Sequence, residues 1–523
     1  MFNRIIFLTI LVAAGFLTSS SKSGEQSAPQ PVKLNILFIA VDDLNDWVGP
    51  LDGLPIAKTP NMDKLAAQGL TFTNAHTACP ACAPSRLAIM TGVQPSKTDV
   101  MQNTWYDGPE WRKIPILEKI ETIEQFFKNR GYKTLAGGKI YHSLAPPSPF
   151  CTTNQAEAED WDFYFPSVHI PIPYQVRAKE EVIRPKNFVG KREEWFTWGP
   201  IAISDEKMAD FQIVDWANYE LSQKHEKPLY LACGITKPHL PWEVPQKYFD
   251  MYPLENIPDL AVQKNDLEDA FEHDRRSWHK FVLENDQWKK VIQAYLASIT
   301  FADAQIGRLL EGLEKSAYAK NTIVVLWSDH GMHIGEKENW GKFTLWEEST
   351  RIPLIFRFPG MANRGAKCSE PVSTLDIYPT LVELAGFKVP AHCDGKSLVP
   401  QLKDVSSPTD RSALTSYRFD NGEGKGFPGH SLRSQRYRYI YYEYNSLEEL
   451  YDHQSDPNEF YNLAYNNDYK EIVRNFRNEL VERVKRDRVA LEEIAKKPVG
   501  YTIQNNKVHS DTFIPMEKLP LEK

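Results

Sequence analysis

Cysteine is scarce, with 6 in 523 residues. A dense disulfide framework is therefore excluded, and an apolar core has to hold the fold. Surplus basic charge is missing too. Lys and Arg number 61 against 69 Asp and Glu, a net charge of −8. That excludes a nucleic-acid binder working through a basic surface. A mean hydropathy of −0.46 argues against a multi-span membrane protein. There is no internal repeat and no Asn-x-Ser/Thr acceptor for N-glycosylation. What is present is ordinary globular material: 42% apolar and 25% charged residues. Wholesale disorder, a coiled coil and a collagen-like fibre are excluded. At roughly 150 residues per domain the length suggests three or four domains, although one large α/β domain can absorb much of it.

The first residues read as an export signal. Arg4 supplies the positive start, Ile5 to Leu17 the apolar run, and Thr18 to Ser21 the small residues that follow. Residues 1–21 are expected to be a signal peptide and 22–32 a flexible leader rich in Ser, Gly, Gln and Pro. No cysteine follows the run to carry a lipid, so no stable membrane insertion is expected. With no glycosylation handle, bacterial export to the periplasm, or secretion, is the expectation.

Ordered structure is expected from Lys33. Leu34 to Val41 is an almost continuous apolar run, the pattern of a strand buried on both faces of a parallel sheet. Lys227 to Ile235 and Thr322 to Ser328 repeat it. Thr59-Pro60 opens a helix that Gly69 closes, and helical patterns cover Asp205–Gln223 and Trp288–Glu314. Alternation of strands and helices predicts an α/β fold with a large sheet flanked by helices. Lys403 to Asp410 is a polar linker. The expected division is a catalytic domain at 33–404 and a smaller α+β domain at 405–523. In the latter, Ser434 to Tyr444 reads as a half-exposed antiparallel strand and Asp468 to Lys497 as a solvated amphipathic helical cover.

The chemistry gathers after the buried strands. Asp42-Asp43 follows the first, Thr236-Lys237-Pro238-His239 the second, and Ser328-Asp329-His330 the third. Ligands of open parallel sheets bind beyond the carboxyl ends of strands. Two adjacent carboxylates repel, and a cation relieves that. Cys82-Ala83-Pro84-Ser85-Arg86 places a cysteine at a predicted helix start, where free N–H groups and the dipole favour an anion. Cys79 to Cys82 also reads as CxxC, the mark of a redox site, and His76, Cys79 and Cys82 suggest zinc but lack a second paired half. Lys139 and His142 lie beyond Gly137-Gly138, and Lys342 follows the Asp-His pair. A lysine supplies charge to a bound oxyanion, and an imidazole moves its proton.

Cys82-x-Pro84-Ser85-Arg86 with Thr91-Gly92 resembles the signature of the type I sulfatases. Asp42-Asp43 and Asp329-His330 match that family's metal pairs. Gly131-Tyr132-x-Thr134 through Lys139 and His142 resembles its second signature, with Gly137 in place of the usual apolar side chain. Glu449-Leu450-Tyr451-Asp452, Asp456-Pro457 and Asn462-Leu463 are similar to the end of its small C-terminal domain. His330, Val41 to Leu44 and Lys237 to Pro241 resemble the iduronate-type members. The resemblance implies an alkaline-phosphatase-like mixed sheet and one Ca2+ held by Asp42, Asp43, Asp329, His330 and the residue at 82. It also implies a Cα-formylglycine made from Cys82 by a formylglycine-generating enzyme. The implied reaction is hydrolysis of sulfate esters of a sulfated polysaccharide or its oligosaccharides, algal such as ulvan, or a glycosaminoglycan. Arg86, Lys139, Lys342 and His239 would offset sulfuryl charge, His239 would protonate the leaving oxygen, and His142 would take the proton that releases sulfate. A phosphonate or phosphodiester hydrolase is the alternative on the same fold. Between Arg177 and Trp198, Arg184, Lys186, Lys191 and Arg192 lie among Trp195, Phe196 and Trp198. Arg184, Lys186, Trp195 and Trp198 are candidate contacts to an acidic sugar.

Overall fold

The structure is a computed structural model that describes residues 33–103, 109–142, 160–165, 196–271, 276–420, 426–444 and 446–484. The expected signal segment, Arg184, Lys186 and Trp195 lie outside the described residues.

Eight strands form the central sheet: β1 (Asn35–Val41), β2 (Leu70–Phe72), β3 (Lys133–Gly138), β4 (Phe163–Phe165), β5 (Leu229–Ile235), β6 (Thr322–Ser328), β7 (Leu354–Arg357) and β8 (Ala366–Cys368). Their order is β8-β2-β7-β6-β1-β5-β3-β4. Only β7 runs against its neighbours, β6 and β2. The fold is therefore the expected α/β class with a large mixed sheet. The apolar run of β1 has a physical cause. Leu37, Ile39 and Val41 enter one core layer, and Ile36, Phe38 and Ala40 enter the other. A strand in mid-sheet with helices on both faces has no solvent side to alternate towards.

Helices α1 (Pro60–Gln68), α4 (Ala209–Ser222) and α5 (Trp288–Lys315) pack into the first layer. Helices α2 (Cys82–Thr91) and α3 (Ile123–Asn129) pack into the second. The pairing Val41↔Ile235 and Val41↔Ser328 brings three strand ends level. Asp42, Thr236 and Asp329 leave the sheet side by side. Gly138 pairs with Gly234, so Lys139 emerges on the same edge.

A second, antiparallel sheet follows, with β9 (Ala413–Asp420), β10 (Gly426–Arg433), β11 (Tyr437–Tyr442) and β12 (Leu447–Asp452) in that order. It differs from expectation in burial. Tyr439 and Tyr441 pack under helix α6 (Lys470–Arg483), while Ile440 and Tyr442 pack towards Leu345 and Trp346. The strand read as half-exposed is thus covered on both faces. The helix covers the sheet with Val473, Phe476 and Leu480 buried, as an amphipathic cover would. The described residues from Leu34 onward form one compact unit. The second sheet therefore backs the segment that carries Lys342.

Candidate active site

Asp42 and Asp43 follow β1, and Asp329 and His330 follow the adjacent β6. The Asp43 N–H donates to Asp329 Oδ1 at 3.1 Å. Thr77 and Ser85 each donate a hydroxyl to the Asp329 carbonyl at 2.6 Å. Helix α2 begins at Cys82 and ends on Gly92, whose φ of 73° is the left-handed turn that glycine makes without strain. Its first residue puts Cys82 Sγ 3.2 Å from His330 Nε2. Ligand-type atoms of Asp42, Asp43, Cys82 and His239 lie within 4.8 Å of one another, as do those of Asp42, Cys82, Asp329 and His330.

Cations interleave with these acids. Lys342 Nζ donates to Asp43 Oδ1 at 2.5 Å and to Cys82 Sγ at 2.9 Å. Lys139 Nζ donates to Asp42 Oδ2. Arg86 is fully buried. Its Nε donates to Asp329 Oδ2 at 2.8 Å, Nη2 to Asp42 Oδ1 at 3.1 Å, and Nη1 to the carbonyls of Lys139 and Ile140.

Two further histidines face the cluster. His142, beyond β3, lies close enough to Cys82 and Lys139 for their charges to act on its imidazole. His239 sits on the loop after β5, with Nε2 3.8 Å from Asp43 Oδ2. Its Nδ1 contacts the Leu240 carbonyl. A carbonyl only accepts, so Nδ1 carries a proton and Nε2 is the atom that exchanges one with the site.

The electrostatics follow from burial and charge. Burial alone would raise the Cys82 thiol, but Lys139, Lys342 and His330 hold it far below the usual thiol range. Burial pushes Asp329 up to about 7 despite Arg86 beside it. Burial opposes a charge on His330, yet Asp329 raises it to about 9. Burial drives His142 down to about 4, which keeps the imidazole neutral.

A profile described as Sulfatase matches residues 34–387. The chain belongs to the sulfatase family. A second profile, N-sulphoglucosamine sulphohydrolase, C-terminal, matches residues 335–486. The chain is 37% identical over 472 residues to a sulfatase of Formosa agariphila, covering 89% of each chain. It is 28% identical over 473 residues to human iduronate 2-sulfatase, covering 81% of this chain and 80% of the other. A solved 2-O GAG sulfatase superposes with a TM-score of 0.65 at 22% identity, over 87% of this chain and 93% of that one. The protein is a sulfuric ester hydrolase.

The family implies a metal ion, and the residues of this sulfatase fit one. Asp43 Oδ2 is buried with no hydrogen-bond partner among the described residues. His330 Nδ1 lies 2.9 Å from the Gly331 carbonyl, which takes its proton, so a cation among the carboxylates would displace the Nε2 proton and meet a lone pair there.

One sequence expectation changes. Trp198 is 1% exposed and meets Phe196 edge-on at 5.0 Å between ring centroids. Its apolar neighbours recruit it to the core, so its face is closed to a sugar. Arg86 directs its donors at Asp42, Asp329 and two carbonyls, so it anchors the carboxylates of the site. Among the described residues the five cysteines Cys79, Cys82, Cys233, Cys368 and Cys393 are unpaired, and Cys79 and Cys82 form no CxxC disulfide.

Several supporting residues escape sequence reading. Tyr295 donates to the Asp43 carbonyl at 2.8 Å, and Ser328 Oγ accepts from Leu44 N–H at 3.0 Å. Tyr295 sits in the apolar stripe of α5, where periodicity marks it as core and hides the hydroxyl. Ser328 lies in the strand end that drew attention only for the acid after it.

Proposed function

We propose that this enzyme is an exported, periplasmic sulfatase that removes sulfate from acidic, uronate-type sugars of sulfated polysaccharides or their oligosaccharides. A calcium ion held by Asp42, Asp43, Asp329, His330 and the residue at 82 would supply positive charge to the sulfuryl oxygens. A formylglycine at 82, made by a formylglycine-generating enzyme, would supply in its hydrated form the oxygen that attacks sulfur. The observation that carries this reading is Cys82 at a helix N-terminus, 3.2 Å from His330 and 2.9 Å from Lys342.

Lys139 and Lys342 stabilise charge on the sulfuryl group. His239 Nε2 delivers a proton to the ester oxygen as the S–O bond breaks. His142 takes the proton whose loss frees sulfate. The uronate assignment rests on the names iduronate 2-sulfatase and 2-O GAG sulfatase borne by relatives. Arg184 and Lys186 are proposed to pair with the sugar carboxylate. The test is a panel of defined sulfated oligosaccharides, including 2-O-sulfated uronates and ulvan fragments, beside aryl sulfate, phosphate and phosphonate esters. Turnover of sulfated uronates well above the others is expected. Activity confined to phosphate or phosphonate esters would overturn the reading.

A further inference from the structure

His239 lies in neither a helix nor a strand. It sits on Thr236–Pro241, a connection between β5 and the Trp242–Pro245 strand, with a side chain 20% exposed. A proton donor on such a loop works only if the loop is held. What holds it is Asp210, in the first turn of α4 and 2% exposed. Oδ1 accepts the Thr236 N–H at 2.9 Å, and Oδ2 accepts the Lys237 N–H at 2.9 Å. Both oxygens of one buried carboxylate thus grip successive amides where the strand ends and the loop begins.

The rest of the loop hangs from that grip. The His239 N–H donates to the Thr236 carbonyl at 2.9 Å. Lys237 Nζ turns back to the carbonyls of Pro241 and His239. Trp242 Nε1 donates to the Pro238 carbonyl at 2.8 Å. Lys237, which stands in the motif beside His239, is therefore occupied with the loop's own backbone.

We infer that Asp210 is a positioning residue that sets His239 Nε2 at the distance from which it protonates the departing oxygen. This rests on the reading of His239 as that donor. Asp210 touches neither the metal-ligand cluster nor a reacting atom. Its effect reaches the chemistry only through the loop, so it should appear only where proton delivery matters. A good leaving group departs without much help, whereas a poor one needs the proton.

The experiment compares Asp210→Asn with the parent enzyme on 4-nitrophenyl sulfate, whose leaving group is good, and on phenyl sulfate, whose leaving group is poor. Asparagine has the same shape but presents one acceptor and one donor, so an amide faces an amide. The loss in kcat/KM is expected to be about tenfold larger for phenyl sulfate than for 4-nitrophenyl sulfate. His239→Ala should show the same skew, and the double variant should be no worse than His239→Ala alone. Both rates come from one preparation, so partial unfolding cancels from their ratio. If Asp210→Asn does not fold, Lys237→Met loosens the same loop and is read the same way. An equal loss on both substrates would overturn the proposal and leave Asp210 a structural residue. A skew in Asp210→Asn with none in His239→Ala would overturn the reading of His239 instead. A parent enzyme that turns over neither ester moves the comparison to a 2-O-sulfated uronate, whose alkoxide is a poor leaving group; there Asp210→Asn is expected to lose about as much kcat/KM as His239→Ala, and an undiminished rate in Asp210→Asn would overturn the proposal.

Discussion

Lys342 holds its ammonium 2.9 Å from the Cys82 sulfur and 2.5 Å from Asp43 Oδ1, joining position 82 to the carboxylate pair. Burial opposes that charge, yet Asp43 and Cys82 raise the lysine above its ordinary range, so it stays cationic at any working pH. Position 82 is thus held among permanent cations, which suits an oxyanion and not a redox pair. Peptide mass spectrometry of active enzyme is expected to find formylglycine at 82. Cys82→Ala should abolish turnover with an unchanged melting temperature. An unmodified thiol in fully active protein would sink the proposed mechanism.

Metal dependence follows from three buried carboxylates meeting in one pocket. Asp329→Asn and Asp42→Asn should each lose bound calcium, measured by elemental analysis, and lower kcat by about a hundredfold or more. Stoichiometric calcium and full activity in either variant would remove that residue from the ligand set. A chelator is the weaker test, because a deeply buried ion leaves slowly.

Much of this site was legible because buried parallel strands end in conspicuous groups. The runs before Asp42, Thr236 and Asp329 were continuous, and strand pairing brings their ends together. What could not be read depends on partners distant in sequence. Arg86 stood out beside Cys82, but its partners Asp42 and Asp329, 44 and 243 residues away, could not be read from the chain. Trp198 looked like a sugar platform, but its fate was set by Phe281 and Phe196 packing around it. The strand at Tyr437–Tyr442 alternates in sequence, yet both faces are covered, one by a helix and one by the Leu345–Trp346 segment.

The burial of Arg86 makes a prediction that separates its two possible roles. Its charge compensates Asp42 and Asp329, both fully buried. Removing one partner of such a network leaves uncompensated buried charge, at about 3–5 kcal/mol. Arg86→Met should therefore lower the melting temperature as well as activity. A variant with the parental melting temperature and lost activity would instead return Arg86 to direct contact with the sulfuryl group.

Glu124 offers a test of pH dependence away from the metal ligands. It lies fully buried in the first turn of α3, and Tyr141 donates its hydroxyl to Oε1 at 2.7 Å. Burial pushes the carboxyl up to about 7, whereas in the unfolded chain it returns to the ordinary glutamate range near 4.5. The folded protein then binds more protons than the unfolded chain between those values. Stability contributed by this group is full below that window and falls as pH rises through it. Above it the penalty is complete, at most about 3 kcal/mol. Glu124→Gln keeps an acceptor for Tyr141 but cannot ionise. It should match the parent in melting temperature at pH 5 and exceed it by about 1–3 °C at pH 8. Melting curves of both proteins across that range decide it. A variant less stable than the parent at pH 8 would mean that the ionised carboxylate is itself stabilised, and that its hydrogen bond from Tyr141 outweighs the burial.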